Sequence, residues 1–164
     1  MAPDAPSIQA PSIHASCVRV GEAGVLIRGA PGAGKSRLAF ALVLAGGTAL
    51  VPPVRLVADD RVLLTRRGMQ LFATAPQNLT GLIEVRGAGI RRLPFVTEAA
   101  IDLVVDLDAG DAARLPPLNA CQIVLEGVGI ARLAALPSGD VLQQVLARLL
   151  TAPADEDTVL PPSE

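Results

Sequence analysis

Eight residues, GAPGAGKS at positions 29–36, match the pattern G-x-x-x-x-G-K-[ST]. A short apolar segment precedes them and an Ala- and Leu-rich segment follows, the strand–loop–helix context that this pattern requires. The glycines allow backbone N–H groups to turn toward phosphate oxygens, and the positive end of the following helix adds to the attraction. We therefore expect a nucleoside triphosphate to be bound by Gly29, Ala30, Pro31, Gly32, Ala33, Gly34, Lys35 and Ser36.

Lys35 is the only lysine in the chain, which otherwise contains 13 arginines. A lysine ammonium is a compact and mobile charge, whereas an arginine guanidinium is a bulkier planar fork with fixed geometry. If only a positive charge were needed at this position, arginine would serve as well as lysine. We infer that Lys35 contacts the phosphates, while the Ser36 hydroxyl is offered to Mg²⁺.

Carboxylates that could serve a phosphate-binding loop are few in the first hundred residues. Asp59 and Asp60 follow the apolar segment VRLVA, the position at which an acid near Mg²⁺ is often found in such proteins. Asp106, at the end of IDLVVD, is the competing candidate for the metal role. Either interpretation remains open from the residues alone.

Three further polar residues have an open assignment. His14 is the only histidine; a lone histidine is more often structural, but beside a carboxylate it can orient that group or share its proton. Glu84 and Arg86 lie two positions apart in LIEVRGAGI, which would place them on one face of a strand. That pair suits a metal ligand beside a phosphate clamp, and equally a solvated strand end.

Composition favours one globular domain with a single core and argues against nucleic-acid binding. The 164 residues are 51% hydrophobic and 18% charged, with a net charge of −2 and three aromatic side chains, so we expect no nucleic-acid partner.

The N-terminus lacks the charge pattern of a signal peptide, and the longest uncharged run (38–54) is interrupted by Gly and Pro. We therefore expect no membrane segment and a cytoplasmic location. Cys17 and Cys121 are interpreted as free thiols.

The pattern of apolar segments predicts an α/β domain with a mixed β-sheet and flanking helices. Strands are predicted at 24–29, 54–60, 101–108 and 122–127, a hairpin turning near Arg67 and Gly68, and a helix from Lys35 to about Ala45. A terminal helix is predicted over 140–150, capped by Ser138 or Asp140, with an apolar stripe. Its members are Val141, Leu142, Val145, Leu146, Leu149 and Leu150. Residues 1–11 are predicted to be a flexible leader and 151–164 an acidic, Pro-rich tail.

Taken in order, SIHASCV, GAPGAGKS, LVADDRV and LIEVRGAGI resemble the HPr kinase/phosphorylase family, in the short form that consists of the catalytic domain alone. The resemblance implies a single catalytic domain at 12–150 with a P-loop fold of the phosphoenolpyruvate-carboxykinase-like type. It implies Mg²⁺- and ATP-dependent phosphorylation of a seryl residue on the phosphocarrier HPr or an HPr-like protein, with reverse phosphorolysis by inorganic phosphate. Such an activity regulates carbohydrate metabolism through the phosphotransferase system.

The resemblance also implies roles for individual residues. Asp60 would accept the seryl proton, supported by Asp59 and His14, and Arg86 would belong to the catalytic signature loop. The metal ligands would be Ser36, Glu84 and Asp60. By the same resemblance the chain is expected to form a homo-oligomer, a hexamer.

One departure from the family pattern leaves the function open. The family carries a catalytic arginine in a later loop, but LPSGD at 136–140 stands about where that loop should be and contains no arginine. Arg132 is the nearest substitute. The alternatives are therefore a P-loop kinase for a small molecule, or a non-catalytic module that senses ATP.

Overall fold

In the computed structural model, residues 12–137 and 139–154 are described. The predicted leader, the proposed cap Ser138 and tail residues 155–164 lie outside these residues. The described chain forms eleven strands and two α-helices, with short 3₁₀ turns at Gln77–Leu79 and Leu118–Cys121. The strands are β1 (Ser12–Ile13), β2 (Ser16–Val20), β3 (Ala23–Arg28), β4 (Val54–Ala58), β5 (Val62–Arg67), β6 (Gln70–Thr74), β7 (Leu82–Val85), β8 (Gly89–Arg92), β9 (Glu98–Asp106), β10 (Gln122–Leu125) and β11 (Val128–Ala134). The helices are α1 (Lys35–Ala45) and α2 (Val141–Leu150).

Nine strands form one sheet, and this sheet is mixed, as the sequence predicts. Its order is β1-β5-β6-β9-β3-β2-β4, with β11 also pairing β9 and β10 pairing β11. Strand β9 runs parallel to β3 and β11, and β2 runs antiparallel to both β3 and β4. Consequently β4, β3, β9 and β11 all point the same way, and their carboxyl ends meet at one edge of the sheet. The hairpin β7–β8 is a separate two-stranded sheet.

The core has two parts, one on each face of the main sheet. Both helices cover the same face, where Leu38 and Leu42 of α1 and Val145 of α2 pack against β2, β3 and β9. On the other face, side chains of the β5–β6 hairpin pack against β2, β3 and β4. The face that carries α1 therefore also carries the loop 29–36, because this loop joins β3 to α1.

Several predicted boundaries shift by a few residues. Strand β9 begins at Glu98 and ends at Asp106, and β4 ends at Ala58. Asp60 and Asp108, just beyond these ends, have φ values of 66° and 56°, which the extended backbone of a strand does not allow. Helix α2 is capped by Asp140, whose carboxylate accepts a hydrogen bond from the backbone N–H of Gln143.

The apolar stripe of α2 is confirmed except at its end. Five of its six predicted members belong to or pack against the core, but Leu150, in the last turn, is exposed. Cys17 and Cys121 are free thiols, and burial raises the pKa of the Cys17 thiol to about 12. In the described residues no helix is both long and apolar enough to cross a membrane.

Candidate active site

The segment 29–36 forms a tight loop because its glycines adopt conformations that other residues avoid. Gly32 and Gly34 have φ values of 81° and 100°, in the left-handed region that favours glycine. Gly29 is packed closely: a Cβ there would lie 3.0 Å from Cβ of Ala33 and 3.1 Å from Cβ of Leu107. Helix α1 begins at Lys35, directly after Gly34, so the free backbone N–H groups of its first turn face the loop 29–36.

The Lys35 side chain folds back across this loop. Its ammonium Nζ donates to the carbonyl oxygens of Gly29 at 2.9 Å and of Ala30 at 3.0 Å. The residue is 6% exposed. A compact cation is therefore held over the concave side of the loop, where the N–H groups and the helix end attract an anion.

Asp59 is a buried carboxylate at the centre of the site. Its Oδ1 accepts hydrogen bonds from the hydroxyls of Ser36 and Ser16, each at 2.7 Å. Its Oδ2 accepts from the backbone N–H of Glu84 at 3.3 Å. The carboxylate thus connects Ser36 at the start of α1, strand β2 and strand β7, and its orientation is fixed from three directions.

The Asp60 carboxylate has a different partner from the Asp59 carboxylate. Its Oδ1 lies 2.8 Å from Nε2 of His14, and the two side chains are 66% and 50% exposed. The left-handed backbone of Asp60, unusual for a residue with a side chain, separates the two carboxylates. The pair therefore consists of one buried acid tied to Ser36 and one exposed acid paired with the only histidine.

Glu84 and Arg86 do not share a strand face. Strand β7 ends at Val85, and Arg86 lies in the turn before β8, because residues 86–88 form the hairpin connection. That turn nevertheless brings Arg86 to the loop, since a Cβ on Gly32 would lie 3.9 Å from its Nη2. Both side chains are exposed, and the Glu84 backbone contacts Asp59.

Asp106, the competing acid, is bound by two arginines. The Arg28 guanidinium donates to both carboxylate oxygens at 2.8 and 2.9 Å, and Nε of Arg132 donates to Oδ2 at 2.7 Å. Burial raises the pKa of Asp106, but the hydrogen bonds and charges of Arg28 and Arg132 outweigh it and hold this pKa below its ordinary value. Arg132 is also bound to Asp111. Asp106 therefore anchors β3, β9 and β11 together, and Arg132 is engaged in the same network.

Replacing Arg132 with methionine is expected to lower the free energy of unfolding by about 1.5–3 kcal/mol at pH 7, because Asp106 loses a charged donor while remaining largely buried. A depressed carboxyl pKa stabilises the fold above the unfolded-state value, and that stabilisation is lost as pH falls through the folded-state value. The deficit of Arg132→Met should therefore shrink below about pH 3.8, the ordinary value. Urea unfolding between pH 2.5 and 7 measures both effects. The exposed Arg114→Met is the control, and an equal loss in both variants would contradict the prediction.

Ser16 and Arg28 are contributors that the sequence analysis did not identify. Ser16 is the only residue of β2 with a hydroxyl group, and it is fully buried in the structure. A single serine in a strand with apolar neighbours is the sequence signal that could have suggested a buried polar partner. Arg28, at the end of an apolar strand, could have suggested a buried ion pair in the same way. Their partners, Asp59 and Asp106, lie 43 and 78 residues further along the chain, so neither contact could be predicted from the neighbouring residues in the sequence.

Comparison with known proteins adds independent findings. Residues 7–113 match the family model described as HPr Serine kinase C-terminal domain. An HPr kinase/phosphorylase of Limosilactobacillus reuteri (strain DSM 20016) is 46% identical over 80 residues, which are 48% of this chain and 23% of that protein. An HPr kinase/phosphorylase of an Exiguobacterium species (strain ATCC BAA-1283 / AT1b) is 36% identical over 112 residues, covering 63% of this chain and 34% of that protein.

The fold comparison covers more of the chain. The solved structure of the Hpr(Ser) kinase/phosphatase from Coxiella burnetii matches with a TM-score of 0.67 and 25% identity, over 85% of this chain and 88% of that one. The matched segments span only about a quarter to a third of the length of the curated relatives above. The similarity therefore extends through most of the described fold, while the larger relatives contain much that has no counterpart in the match.

Proposed function

The chain belongs to the HPr Serine kinase C-terminal domain family, and we propose that it is a kinase that transfers phosphate from ATP to a seryl hydroxyl of HPr or an HPr-like carrier. The observation that carries this proposal is the separation of Asp59 from Asp60. One acid faces the phosphate-binding loop through Ser36, and the next is open to solvent beside His14. A hydroxyl on another protein can approach an acid that is 66% exposed.

The proposed transfer uses these residues in fixed roles. Asp60 accepts the proton of the seryl hydroxyl as its oxygen forms a bond to the terminal phosphorus, and the bond from that phosphorus to the bridging oxygen of the donor breaks. His14 holds the Asp60 carboxylate in place through the 2.8 Å contact. Lys35 and Arg86 offset the negative charge on the phosphoryl group, and the loop N–H groups fix its position. In phosphorolysis, an oxygen of inorganic phosphate would form a bond to the phosphorus of the seryl phosphate as the bond from that phosphorus to the seryl oxygen breaks, and Asp60 returns the proton to the seryl oxygen.

The donor set at Ser36 and Asp59 fits Mg²⁺, which prefers hydroxyl, carboxylate and phosphate oxygens. Mg²⁺ is usually bound by one or two carboxylates together with substrate phosphates and water, which would supply the remaining ligands. The sequence analysis expects Ser36, Glu84 and Asp60 as ligands. We propose Asp59 in place of Asp60, because Asp59 and not Asp60 is bonded to Ser36, and Glu84 stays an expected ligand. Asp60 then serves in proton transfer alone. When bound, Mg²⁺ neutralises charge on the phosphates.

Ser16→Ala is expected to reduce the gain in ATP affinity that Mg²⁺ confers by about tenfold, because Asp59 loses a donor that fixes its orientation. ATP affinity in excess EDTA should stay unchanged. Calorimetric titration with and without Mg²⁺ measures this, and Ser16→Thr, which keeps the hydroxyl, is the matched control. An equal gain from Mg²⁺ in Ser16→Ala and the parent protein would exclude this role for Ser16.

We also propose the domain bounds, fold type, location and oligomeric state of the chain. The catalytic domain comprises residues 12–150 and has the P-loop fold of the phosphoenolpyruvate-carboxykinase-like type. It acts in the cytoplasm as a homo-oligomer, a hexamer, in the regulation of carbohydrate metabolism. The continuous series of strands and helices from Ser12 to Leu150 supports the domain bounds. The location and the oligomeric state rest on the resemblance to the family, and sedimentation of the purified chain tests the oligomeric state.

A second candidate function, ATP sensing without catalysis, is favoured by one observation. Arg132, the nearest replacement for the family's later arginine, is 13% exposed and bound to both Asp106 and Asp111. It is therefore not free to reach a phosphoryl group. In the kinase proposal Arg86, which lies over Gly32, supplies that charge instead.

Release of ADP from Mg·ATP separates the candidate functions. A kinase for HPr should release ADP in proportion to added HPr, with little release in its absence. Release stimulated by a metabolite and not by HPr would instead identify a small-molecule kinase. Tight ATP binding without release under any of these conditions would identify the sensing module and contradict the proposal.

A further inference from the structure

A cavity of about 570 Å³ lies apart from the loop 29–36, at the opposite edge of the main sheet. Its lining includes Arg19 of β2, Glu22 of the β2–β3 turn, Phe72 of β6 and residues 96–100 at the start of β9. Strands β3 and β9 run parallel, so both begin at this edge and end at the edge where the loop 29–36 follows β3. The volume is in the range of sites that enclose a small organic ligand, roughly 300–1,000 Å³.

Arg19 is the polar residue of this cavity whose hydrogen bonds are incomplete. Side chains two positions apart on a strand share a face, so Arg19 projects on the same face as Cys17, away from the helices. The Arg19 Nε is buried, and within the described part of the chain it has no hydrogen-bond partner. Directly opposite on β3 stands Gly24, which offers no side chain. A buried donor without a partner is costly, so an acceptor bound in the cavity would lower the free energy.

The other strand neighbour of Arg19 increases its need for a negative partner. Arg55 of β4 stands directly opposite Arg19 across the antiparallel pair β2–β4. Like charges in this arrangement destabilise a sheet. The Arg55 guanidinium donates to the Val54 carbonyl, and in the residues described neither arginine forms a salt bridge. An anion bound at Arg19 would therefore also offset the repulsion between the two guanidinium groups.

The remaining groups around the cavity define what kind of anion fits. Glu98 is already paired, because the Arg67 guanidinium donates to its two carboxylate oxygens at 3.0 and 2.7 Å. The Arg67 guanidinium also lies 4.3 Å from the centre of the Phe72 ring. The exposed Glu22 carboxylate is the charge that opposes an anion, and the exposed Thr97 offers a hydroxyl. One guanidinium, one hydroxyl and an aromatic ring suit a small anion with an organic body.

We propose that Arg19 binds the carboxylate or phosphate head group of a small organic anion in this cavity. Two parallel N–H groups of the guanidinium, Nε among them, donate to two oxygens of the head group, a geometry that carboxylate and phosphate both match. Thr97 donates a further hydrogen bond, and Phe72 and Val96 contact the organic body. The site uses no residue of the loop 29–36 and does not depend on the function proposed above.

Calorimetric titration of the full chain with inorganic phosphate and, separately, with malonate tests this inference and distinguishes the two head groups. The loop 29–36 is first saturated with Mg²⁺ and β,γ-imido-ATP, because it would otherwise compete for phosphate. The parent protein should bind at least one probe with a Kd of about 1 mM or below. Arg19→Met should weaken that binding by at least about tenfold, the loss of hydrogen bonds to a charged group, with nucleotide affinity unchanged. Arg114→Met is the control, because Arg114 is exposed and does not line the cavity.

A second variant gives an effect of opposite sign and keeps the inference testable if Arg19→Met fails to fold. Glu22→Gln, in an exposed turn, removes a charge that repels the anion and should tighten binding by about twofold or more. Binding of phosphate, malonate or both with these effects supports the inference and identifies the head group. Binding of neither, or affinities unchanged by both substitutions, would overturn it. A chain that binds no nucleotide would contradict the proposed function alone, since the titration then needs no nucleotide and still decides the inference.

Discussion

Lys35→Arg is expected to weaken Mg·ATP binding by at least about 100-fold, or about 2.7 kcal/mol, although the charge is retained. The Lys35 ammonium fits a buried position between the carbonyls of Gly29 and Ala30. A guanidinium is wider and presents its donors in a fixed plane, so it cannot occupy this position and still leave space for a phosphate. Isothermal titration with Mg·ATP measures the loss.

Two controls make the Lys35→Arg result specific. Arg114→Lys makes the reverse exchange at an exposed position and should bind ATP normally. Thermal unfolding of Lys35→Arg shows whether the fold itself is affected. If Lys35→Arg binds ATP within threefold of the parent protein, the loop does not need a compact cation, and the explanation for the single lysine is wrong.

Asp60→Asn is expected to reduce phosphoryl transfer to HPr by about 10²–10⁴-fold while Mg·ATP affinity changes little. An amide cannot accept the seryl proton, and loss of a general base has an effect of this size. Binding should persist because Asp60 contacts His14, whereas Asp59 contacts Ser36 of the loop. The rate of formation of seryl phosphate at saturating ATP, measured beside ATP affinity, gives both quantities.

Asp59→Asn is the matched comparison for Asp60→Asn. The two substitutions are identical in chemistry and adjacent in sequence, but Asp59 is buried and bonded to Ser16 and Ser36. Asp59→Asn should lower the Mg²⁺-dependent affinity for ATP, and Asp60→Asn should not. Transfer by Asp60→Asn at the parental rate would exclude Asp60 as the proton acceptor.

The parts of this site that are local in sequence could be predicted from it. The loop 29–36 and helix α1 follow from glycine spacing and from the Ala- and Leu-rich segment that Gly46 ends, and both are found as predicted. These features depend on the backbone preferences of neighbouring residues, which a sequence states directly.

The division of roles between neighbouring acids could not be derived from the residues themselves. Only the resemblance to a known family assigned proton transfer to Asp60 and a supporting role to Asp59. Asp59 and Asp60 are equivalent in the sequence, and only the left-handed backbone of Asp60 and the partners on β2 and α1 distinguish them. In the sequence Asp106 is an equal candidate for a metal ligand, whereas in the structure its carboxylate is bound by Arg28 and Arg132, which are 78 and 26 residues distant. Such choices depend on tertiary contacts between strands distant in sequence, not on local preference.

The measurement that tests the central claim most directly is the location of phosphate on HPr. Purified HPr is incubated with Mg·ATP and the full chain, and the modified residue is identified by mass spectrometry. We predict one phosphate on one serine, absent when that serine is replaced by alanine and absent with Lys35→Ala. Unmodified HPr in the presence of a chain that binds Mg·ATP would contradict the proposal that this protein is an HPr serine kinase.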